Sequence, residues 1–245
     1  MQNATSSEKV VLVTGGARRL GRAIALGFAR SGANAAITYK SSEAQAIELA
    51  SELEQLGVQS LALPCDVRSE ASVQAAIARV GQVFGRLDVL VNNAAVFEDG
   101  ALAALSTEAW DRVLETNTRG PFLMSREAYP LLKAAHGRIV NIGSLGGLRP
   151  WATHAHYCAS KAALHMLTQS MARAFAPEVS VNCVAPGFID FEQDRGELST
   201  RLAQRTPMQR NGTAEEVTQA VQFLSTGPSF ITGQILCVDG GLGLS

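Results

Sequence analysis

The feature that most constrains the fold is a regular alternation of short apolar runs with longer amphipathic segments along the whole chain. The short runs, such as the four apolar residues from Val10 to Val13, are typical of buried strands. The longer segments repeat their apolar residues at the spacing of one helix face. Strands that alternate with helices form a mostly parallel sheet with helices on both faces and right-handed crossovers. We therefore predict a doubly wound α/β fold.

The pattern assigns each element to a stretch of the chain. Strands are predicted at residues 9–14, 33–39, 58–63, 87–91, 139–142, 179–184 and 234–238. Helices are predicted at residues 22–31, 43–56, 71–84, 107–117, 121–135, 153–175 and 214–224. Ser69 and Thr107 are expected to cap the third and fourth of these helices.

Composition limits the classes of protein to which this chain can belong. The chain has 245 residues, of which 47% are hydrophobic and 18% are charged, so a single domain over residues 1–245 can bury a core without metals or disulfides. A polar stretch at about 188–206 is a candidate lid. A net charge of −1 gives no reason to expect nucleic acid or an anionic membrane as a partner. No apolar run is long enough for a membrane span, and the first eight residues contain no apolar targeting segment. Four well-separated cysteines favour reduced thiols in a cytoplasmic protein.

A glycine-containing turn separates the first strand from the first helix. Gly15 and Gly21 bracket this turn, and Arg18 and Arg19 lie inside it. Bare backbone N–H groups at a helix N-terminus form a cradle for a phosphate group. Because a strand precedes the turn and a helix follows it, we predict a dinucleotide site rather than a plain tight turn.

The end of the second strand indicates which dinucleotide binds. An acidic residue there would bind the ribose hydroxyls, whereas a basic residue accepts a 2′-phosphate. Residues 38–42 contain no Asp or Glu, but they include Lys40 and Ser41, and Arg18 is available from the first turn. This pattern favours NADP(H). The alternative is that Lys40 is a solvated charge at a helix entry.

Candidate functional residues fall at the carboxyl ends of several predicted strands. Gly15, Asp66, Asn92, Ser144 and Pro186 each follow such a strand. Ligands of open parallel sheets bind at these ends, where the strand order reverses. The coincidence of position therefore predicts one site that draws on most of the sheet.

The stretch from Asn141 to Lys161 contains a candidate catalytic group. Ser144 ends a predicted strand, and Tyr157 and Lys161 share one face of the following helix because they are four residues apart. A nearby lysine cation is expected to lower the pKa of the tyrosine toward neutrality, and the serine hydroxyl can bind the same oxygen. These groups suit proton transfer to a carbonyl oxygen. The second Tyr-x-x-x-Lys, at Tyr129 and Lys133, lacks such a serine and is interpreted as structural.

Taken together, the motifs resemble those of the short-chain dehydrogenase/reductase family over nearly the whole chain. The matching residues are Thr14-Gly15-x-x-x-x-x-Gly21, Asp66, Asn92-Asn93-Ala94, Asn117, Ser144, Tyr157-x-x-x-Lys161 and Pro186-Gly187. The resemblance implies a seven-stranded Rossmann sheet in the order 3-2-1-4-5-6-7 and an oxidoreductase that is often a homotetramer.

The resemblance also implies a role for each matching residue. Tyr157 would be the general acid, Lys161 would lower its pKa and hold the nicotinamide ribose, Ser144 would orient the carbonyl and Asn117 would anchor a relay water. Asp66 would meet the adenine and Ile189 the carboxamide. The remaining expected cofactor contacts are Leu20, Val67, Asn93, Ala94, Pro186 and Gly187.

Two positions depart from the family pattern. Arg19 stands where the family has the middle glycine of the turn, and Phe191 stands where it has a threonine after Pro-Gly. The arginine side chain must either avoid or contact the cofactor pyrophosphate, and a hydroxyl contact with the cofactor is lost at Phe191.

The substrate is less constrained by the sequence than the cofactor. Many similar members reduce 3-oxoacyl groups on a carrier protein, but Ala135 stands where those often have a basic docking residue, although Arg173 keeps a second basic position. Pteridine reductases are similar at Arg18-Arg19-Leu20-Gly21 and at Phe97, but usually have an acid in place of Ser144. Trp151, Phe188 and Phe191 suggest a partly aromatic pocket or core packing.

Two further alternatives concern the class of function. His154 and His156 precede Tyr157, but the sequence offers no third ligand, so no metal is expected. A member without catalytic activity could serve as an NADP(H)-binding regulator, which the intact Ser144, Tyr157 and Lys161 argue against. The expected reaction is reduction of a small-molecule carbonyl.

Overall fold

Seven strands alternate with helices in the protein, for which a computed structural model describes residues 9–191 and 196–244. The strands are β1 Val10–Val13, β2 Asn34–Tyr39, β3 Ser60–Pro64, β4 Val89–Asn92, β5 Arg138–Ile142, β6 Ser180–Pro186 and β7 Ile235–Val238. The helices are α1 Arg19–Arg30, α2 Glu43–Gln55, α3 Glu70–Phe84, α4 Thr107–Leu114, α5 Gly120–Ala134, α6 Ala155–Phe175, α7 Glu197–Arg205 and α8 Ala214–Thr226.

All seven strands form one parallel sheet in the order β3-β2-β1-β4-β5-β6-β7. The strand order reverses between β1 and β4, which pair directly, with Val13 opposite Val91. The predicted doubly wound α/β fold and its strand order are therefore confirmed. The crevice expected at such a reversal lies beyond the carboxyl ends of β1 and β4.

The two faces of the sheet carry separate apolar clusters. Val11 and Val13 of β1 pack on one face with residues of α1, α2 and α8. Val10 and Leu12 point to the opposite face, where residues of α3, α5 and α6 cover them. Alternate residues of a buried strand point to opposite faces, so an uninterrupted apolar strand requires helices on both sides.

Most element boundaries moved by only a few residues from those predicted, but the fourth helix differs in kind. Ser106, not Thr107, caps α4, because its hydroxyl accepts the backbone N–H of Ala109 at 3.2 Å. The helix then passes into a π-helical turn at Glu115–Arg119 that leads directly into α5. Ser69 caps α3 as predicted, by accepting the N–H of Ser72. Turns of π-helix often mark functional sites, and Asn117 lies in this one.

The predicted lid at 188–206 contains a helix, α7, rather than only irregular chain. Residues 192–195 of the predicted lid lie outside the described residues, as do the first eight residues, for which the sequence predicts no targeting segment. Among the helices of the described ranges, none combines the length and apolar character needed to span a bilayer.

Candidate active site

The glycine turn after β1 is fixed against the end of β4. The Thr14 hydroxyl accepts the backbone N–H groups of Asn93 and Ala94 at 2.9 and 3.0 Å. In return, the Asn93 side chain donates to the carbonyl oxygens of Thr14 and Gly15 at 2.9 and 3.1 Å. A side chain at Gly21 would collide with the Gly15 carbonyl, and its Cβ would lie 2.6 Å from the Asn93 amide nitrogen. The turn is therefore rigid, and its backbone is open to close approach by a phosphate.

The two departures from the family pattern contact each other. Arg19 has a φ of +52°, in the left-handed region that a glycine adopts more easily. Its guanidinium carbon lies 4.3 Å from the centroid of the Phe191 ring, in a cation–π arrangement. The arginine that replaces the glycine and the phenylalanine that replaces the threonine thus connect the glycine turn to the segment after β6.

A cavity of about 400 Å³ lies at this end of the sheet and is rich in cationic side chains. Its basic lining residues are Arg18, Arg19, Lys40, Arg68 and Arg112, whereas Asp66 is the one carboxylate among the described lining residues. The other predicted cofactor residues in its lining are Gly15, Leu20, Gly21, Ser41, Val67, Asn93 and Ala94. The excess of positive charge and the open glycine turn fit a dinucleotide with an additional phosphate.

Lys40 is held by an acidic partner, Asp66, that lies far from it in the sequence. Its ammonium lies 2.9 Å from Asp66 Oδ2, and the Arg68 guanidinium lies 2.7 Å from the same oxygen. The Arg68 hydrogen bonds, supported by Lys40, hold the pKa of Asp66 well below its usual range. This group of three residues keeps two cations next to the carboxyl end of β2. Arg68 was missed, although a basic residue two positions after Asp66 was a usable signal.

A second cavity, of about 240 Å³, continues from the first. The two share Arg19, Leu20, Asn93 and Ala95 in their linings. The predicted residues that line only the second cavity are Ser144, Tyr157, Lys161, Pro186 and Gly187. The carboxyl ends of β5 and β6 and one face of α6 thus bring the serine, the phenol and the ammonium together beside the cationic cleft.

Tyr157 does not have the lowered pKa that the sequence predicts. Burial raises the pKa of this phenol, and a hydrogen bond with the Ser144 hydroxyl only partly opposes the increase. Ser144 Oγ also accepts the backbone N–H of Gly146 at 3.0 Å. In the protein without a ligand, Tyr157 is therefore a protonated phenol next to a serine hydroxyl.

The position of Lys161 explains why the pKa of Tyr157 is not lowered. Its Nζ donates to the Ile142 carbonyl oxygen at 2.7 Å and lies 5.8 Å from the centroid of the Tyr157 ring. The residue is only 2% exposed, and burial lowers the pKa of its ammonium to about 8. The lysine is thus held at the end of β5, where the second cavity reaches it.

His165 holds the backbone of Ser144, a role that was not predicted from the sequence. The backbone N–H of Ser144 donates to His165 Nε2 at 3.4 Å, which requires a neutral imidazole with its proton on Nδ1. Burial, followed by the nearby Lys161, lowers the pKa of His165 to about 4, so the ring is neutral at physiological pH. A side chain at Gly143 would collide with this imidazole. The spacing of four residues from Lys161 on α6 could have revealed it.

Asn117 and Ile189 lie outside the linings of both cavities. The buried Asn117 side chain accepts the N–H of Val96 at 2.8 Å and donates to the Val96 carbonyl and the Ser160 hydroxyl at 2.9 and 3.0 Å. Ile189 packs against the cluster of α1, α2 and α8 and forms a parallel bridge with Gly212.

Within the described residues, no group of three or more His, Cys, Asp or Glu side chains is placed to hold a metal ion.

The second tyrosine–lysine pair has structural partners. The Tyr129 ring stacks on Phe175 with centroids 4.5 Å apart, and Lys133 forms an ion pair with Glu178 at 2.8 Å. Neither residue lines either cavity. Tyr129 is therefore a matched control for Tyr157.

Comparison with known proteins identifies close relatives over almost the entire chain. A family model described as "Enoyl-(Acyl carrier protein) reductase" matches residues 15–243. The 3-oxoacyl-(acyl-carrier-protein) reductase FabG of Staphylococcus aureus is 37% identical over 240 residues, which cover 96% of this chain and 98% of that protein.

Two solved structures share the fold at comparable identity. A short-chain dehydrogenase/reductase from Serratia marcescens BCRC 10948 is 38% identical with a TM-score of 0.91, covering 96% of this chain and 98% of the other. A blue fluorescent protein from a metagenomic library, in complex with NADPH, is 35% identical with a TM-score of 0.91, covering 98% and 99%.

Proposed function

Because the chain belongs to the short-chain dehydrogenase/reductase family, we propose that it is an NADPH-dependent oxidoreductase that reduces a ketone or aldehyde to an alcohol. The observation that carries this proposal is the junction of the two cavities. There Ser144, Tyr157 and Lys161 lie beside a cleft rich in cationic side chains. The blue fluorescent protein that shares this fold was solved with NADPH, which supports the same cofactor here.

The residues that would hold NADPH follow from the linings of the two cavities. Arg18 and Lys40, at the carboxyl ends of β1 and β2, suit the 2′-phosphate, and the glycine turn suits the pyrophosphate. Lys161, Pro186 and Gly187, in the second cavity, suit the nicotinamide half. When bound, the reduced nicotinamide supplies the hydride for the reaction.

Tyr157 donates the proton in this proposal. Its raised pKa keeps the hydroxyl protonated at neutral pH, which is the state that a general acid requires. Ser144 lines the same cavity as that hydroxyl and can donate to the same carbonyl oxygen as negative charge develops. Lys161 is a cation below about pH 8 and stabilises the phenolate that remains.

Other residues position Ser144 or would help to return a proton to Tyr157. His165 accepts the N–H of Ser144 and so fixes the backbone from which the serine projects. The Asn117 side chain is occupied by Val96 and Ser160, so a relay water anchored by this residue would bind its main chain and not its side chain. The proposed unit is a single domain over residues 1–245.

The test is NADPH oxidation with a panel of candidate substrates. The carbonyl compounds in the panel are an acetoacetyl thioester, a quinone and an aryl ketone, and a dihydropteridine tests C=N reduction. We expect turnover with at least one carbonyl compound. NADPH binding without oxidation by any of them would favour a cofactor-binding regulator, and turnover of the dihydropteridine alone would favour C=N reduction.

Assembly and location are proposed on the basis of the family. We expect a cytoplasmic homotetramer whose contacts involve residues 107–135, residues 152–176 and the C-terminal strand. Phe122 on α5 and Met166 on α6 are large apolar side chains that are 41% and 62% exposed, which suits burial against another subunit.

A further inference from the structure

Two aromatic rings pack against Tyr157, and a third ring stacks on one of them. Phe97 meets the Tyr157 ring edge-to-face, with centroids 4.8 Å apart and planes at 87°. Trp151 is nearly parallel to Tyr157, with centroids 5.9 Å apart and planes at 13°. His154 stacks on Phe97 at 4.6 Å and 18°. The proposed proton donor is thus bordered by a wall of flat rings, here called the aromatic wall: Phe97, Trp151 and His154.

The structure holds Phe97 in this place despite its exposure to solvent. The residue is 61% exposed, although it is large and apolar. The buried Asn117 side chain bonds both the N–H and the carbonyl of the preceding residue, Val96, at 2.8 and 2.9 Å. A backbone held at both polar groups by a buried amide is well fixed. Phe97 is therefore an exposed ring in a defined position next to Tyr157.

Trp151 packs close to Tyr157 at Gly146, a residue that has no side chain to separate the two rings. A Cβ at Gly146 would lie 3.2 Å from the Trp151 ring and 3.3 Å from the Tyr157 ring. The indole thus packs over the same short segment whose N–H bonds Ser144 Oγ. Trp151 and Phe97 also meet edge-to-face at 6.3 Å, so the two rings form a continuous apolar surface beside the serine and the phenol.

A carboxylate next to the aromatic wall is paired with an arginine. Glu98, the residue after Phe97, forms an ion pair with Arg112 at 2.5 Å. An acidic carrier protein would require a basic surface for complementary docking. The wall itself offers flat apolar surface, which suits a planar ring more than a flexible acyl chain.

We propose that the substrate is a free aryl ketone or aryl aldehyde whose ring packs against Phe97 and Trp151. This inference rests on the proposed carbonyl reduction. The carbonyl carbon receives a hydride, with its two electrons, from the reduced nicotinamide, and the carbonyl oxygen receives a proton from Tyr157. The products are a benzylic alcohol and NADP⁺.

The test compares two ketones that differ in the flatness of one ring. Acetophenone and cyclohexyl methyl ketone have the same carbon skeleton, but only the first has a planar aromatic ring. Two ring contacts of ordinary strength predict roughly a tenfold or greater advantage in kcat/KM for acetophenone. Phe97→Leu should lower the ratio of kcat/KM for acetophenone to that for cyclohexyl methyl ketone about five- to tenfold, mainly by raising KM for acetophenone. Phe97→Tyr should keep the wild-type ratio.

The controls separate failure of this inference from failure of the proposed function. Phe122→Leu alters an exposed phenylalanine on α5 and should leave the ratio of the two ketones unchanged. If the wild type reduces cyclohexyl methyl ketone or an acetoacetyl thioester as well as acetophenone, or if Phe97→Leu keeps the wild-type ratio, the aryl assignment is wrong while carbonyl reduction stands. If the wild type binds NADPH but reduces no carbonyl compound, both proposals are wrong.

Discussion

Replacing Lys161 with methionine should make the cofactor-free protein more stable while it abolishes function. The lysine is 2% exposed, and burial lowers the pKa of its ammonium from 10.5 to about 8. At about 1.4 kcal/mol for each pH unit, this difference corresponds to about 3 kcal/mol of lost folding stability at neutral pH. Methionine keeps an unbranched side chain but removes the charge.

One interaction opposes this gain. Lys161 Nζ donates to the Ile142 carbonyl at 2.7 Å, and the loss of that hydrogen bond costs about 1 kcal/mol. The expected net effect of Lys161→Met is therefore a gain of about 2 kcal/mol in the free energy of unfolding at pH 7. Urea denaturation, followed by circular dichroism on the protein without NADPH, measures this difference.

The pH dependence distinguishes this explanation from a general packing effect. Between pH 8 and 10.5 the unfolded chain keeps the Lys161 proton while the folded protein has lost it. Because the unfolded state then binds more protons, the stability of the wild type rises with pH in this window. The penalty falls to about 1 kcal/mol by pH 10, so the advantage of the methionine variant should largely disappear there.

Lys133→Met is the matched control. Lys133 forms an exposed ion pair with Glu178, so its replacement should change the free energy of unfolding little and should not stabilise the protein at either pH. A Lys161→Met variant that is no more stable than the wild type at pH 7, or whose advantage persists unchanged at pH 10, would refute the reasoning.

Three further predictions concern the cofactor and the assembly. Lys40→Asp should weaken NADPH binding about tenfold or more and shift preference toward NADH, because two carboxylates would face the 2′-phosphate; equal wild-type affinities for the two cofactors would contradict the assignment. Arg19→Gly should lower NADPH affinity several-fold in a fluorescence titration, since it removes a lining cation and its contact with Phe191; unchanged affinity would show that the arginine points away from the pyrophosphate. Light scattering should detect a tetramer at micromolar concentration, and a stable monomer would exclude that assembly.

The sequence was sufficient to predict the fold because its signals were local. Uninterrupted apolar strands, such as β1, require cover on both faces, and the longer amphipathic segments provide it. In a parallel sheet the carboxyl ends of the strands share one edge, so the sequence alone places Gly15, Asp66 and Ser144 in one region.

What the sequence could not supply were relations between distant residues. The contact of Arg19 with Phe191 joins two positions far apart in the chain, and each looked like an isolated departure. The pKa of Tyr157 was predicted in the wrong direction because the depth of burial is a tertiary property, whereas the helical spacing from Lys161 is local. The cap at Ser106 was misplaced by one residue because serine and threonine are both favourable there.

The central claim is that the Tyr157 hydroxyl donates the proton to the substrate carbonyl. Steady-state NADPH oxidation by Tyr157→Phe tests it most directly, because the ring and its contacts remain and only the hydroxyl is removed. The account predicts a fall of roughly 10² to 10⁴ in kcat with NADPH binding retained, whereas Tyr129→Phe, at the ring stacked on Phe175, should stay within a few-fold of the wild type. Wild-type turnover in Tyr157→Phe, or greater damage in Tyr129→Phe, would contradict it.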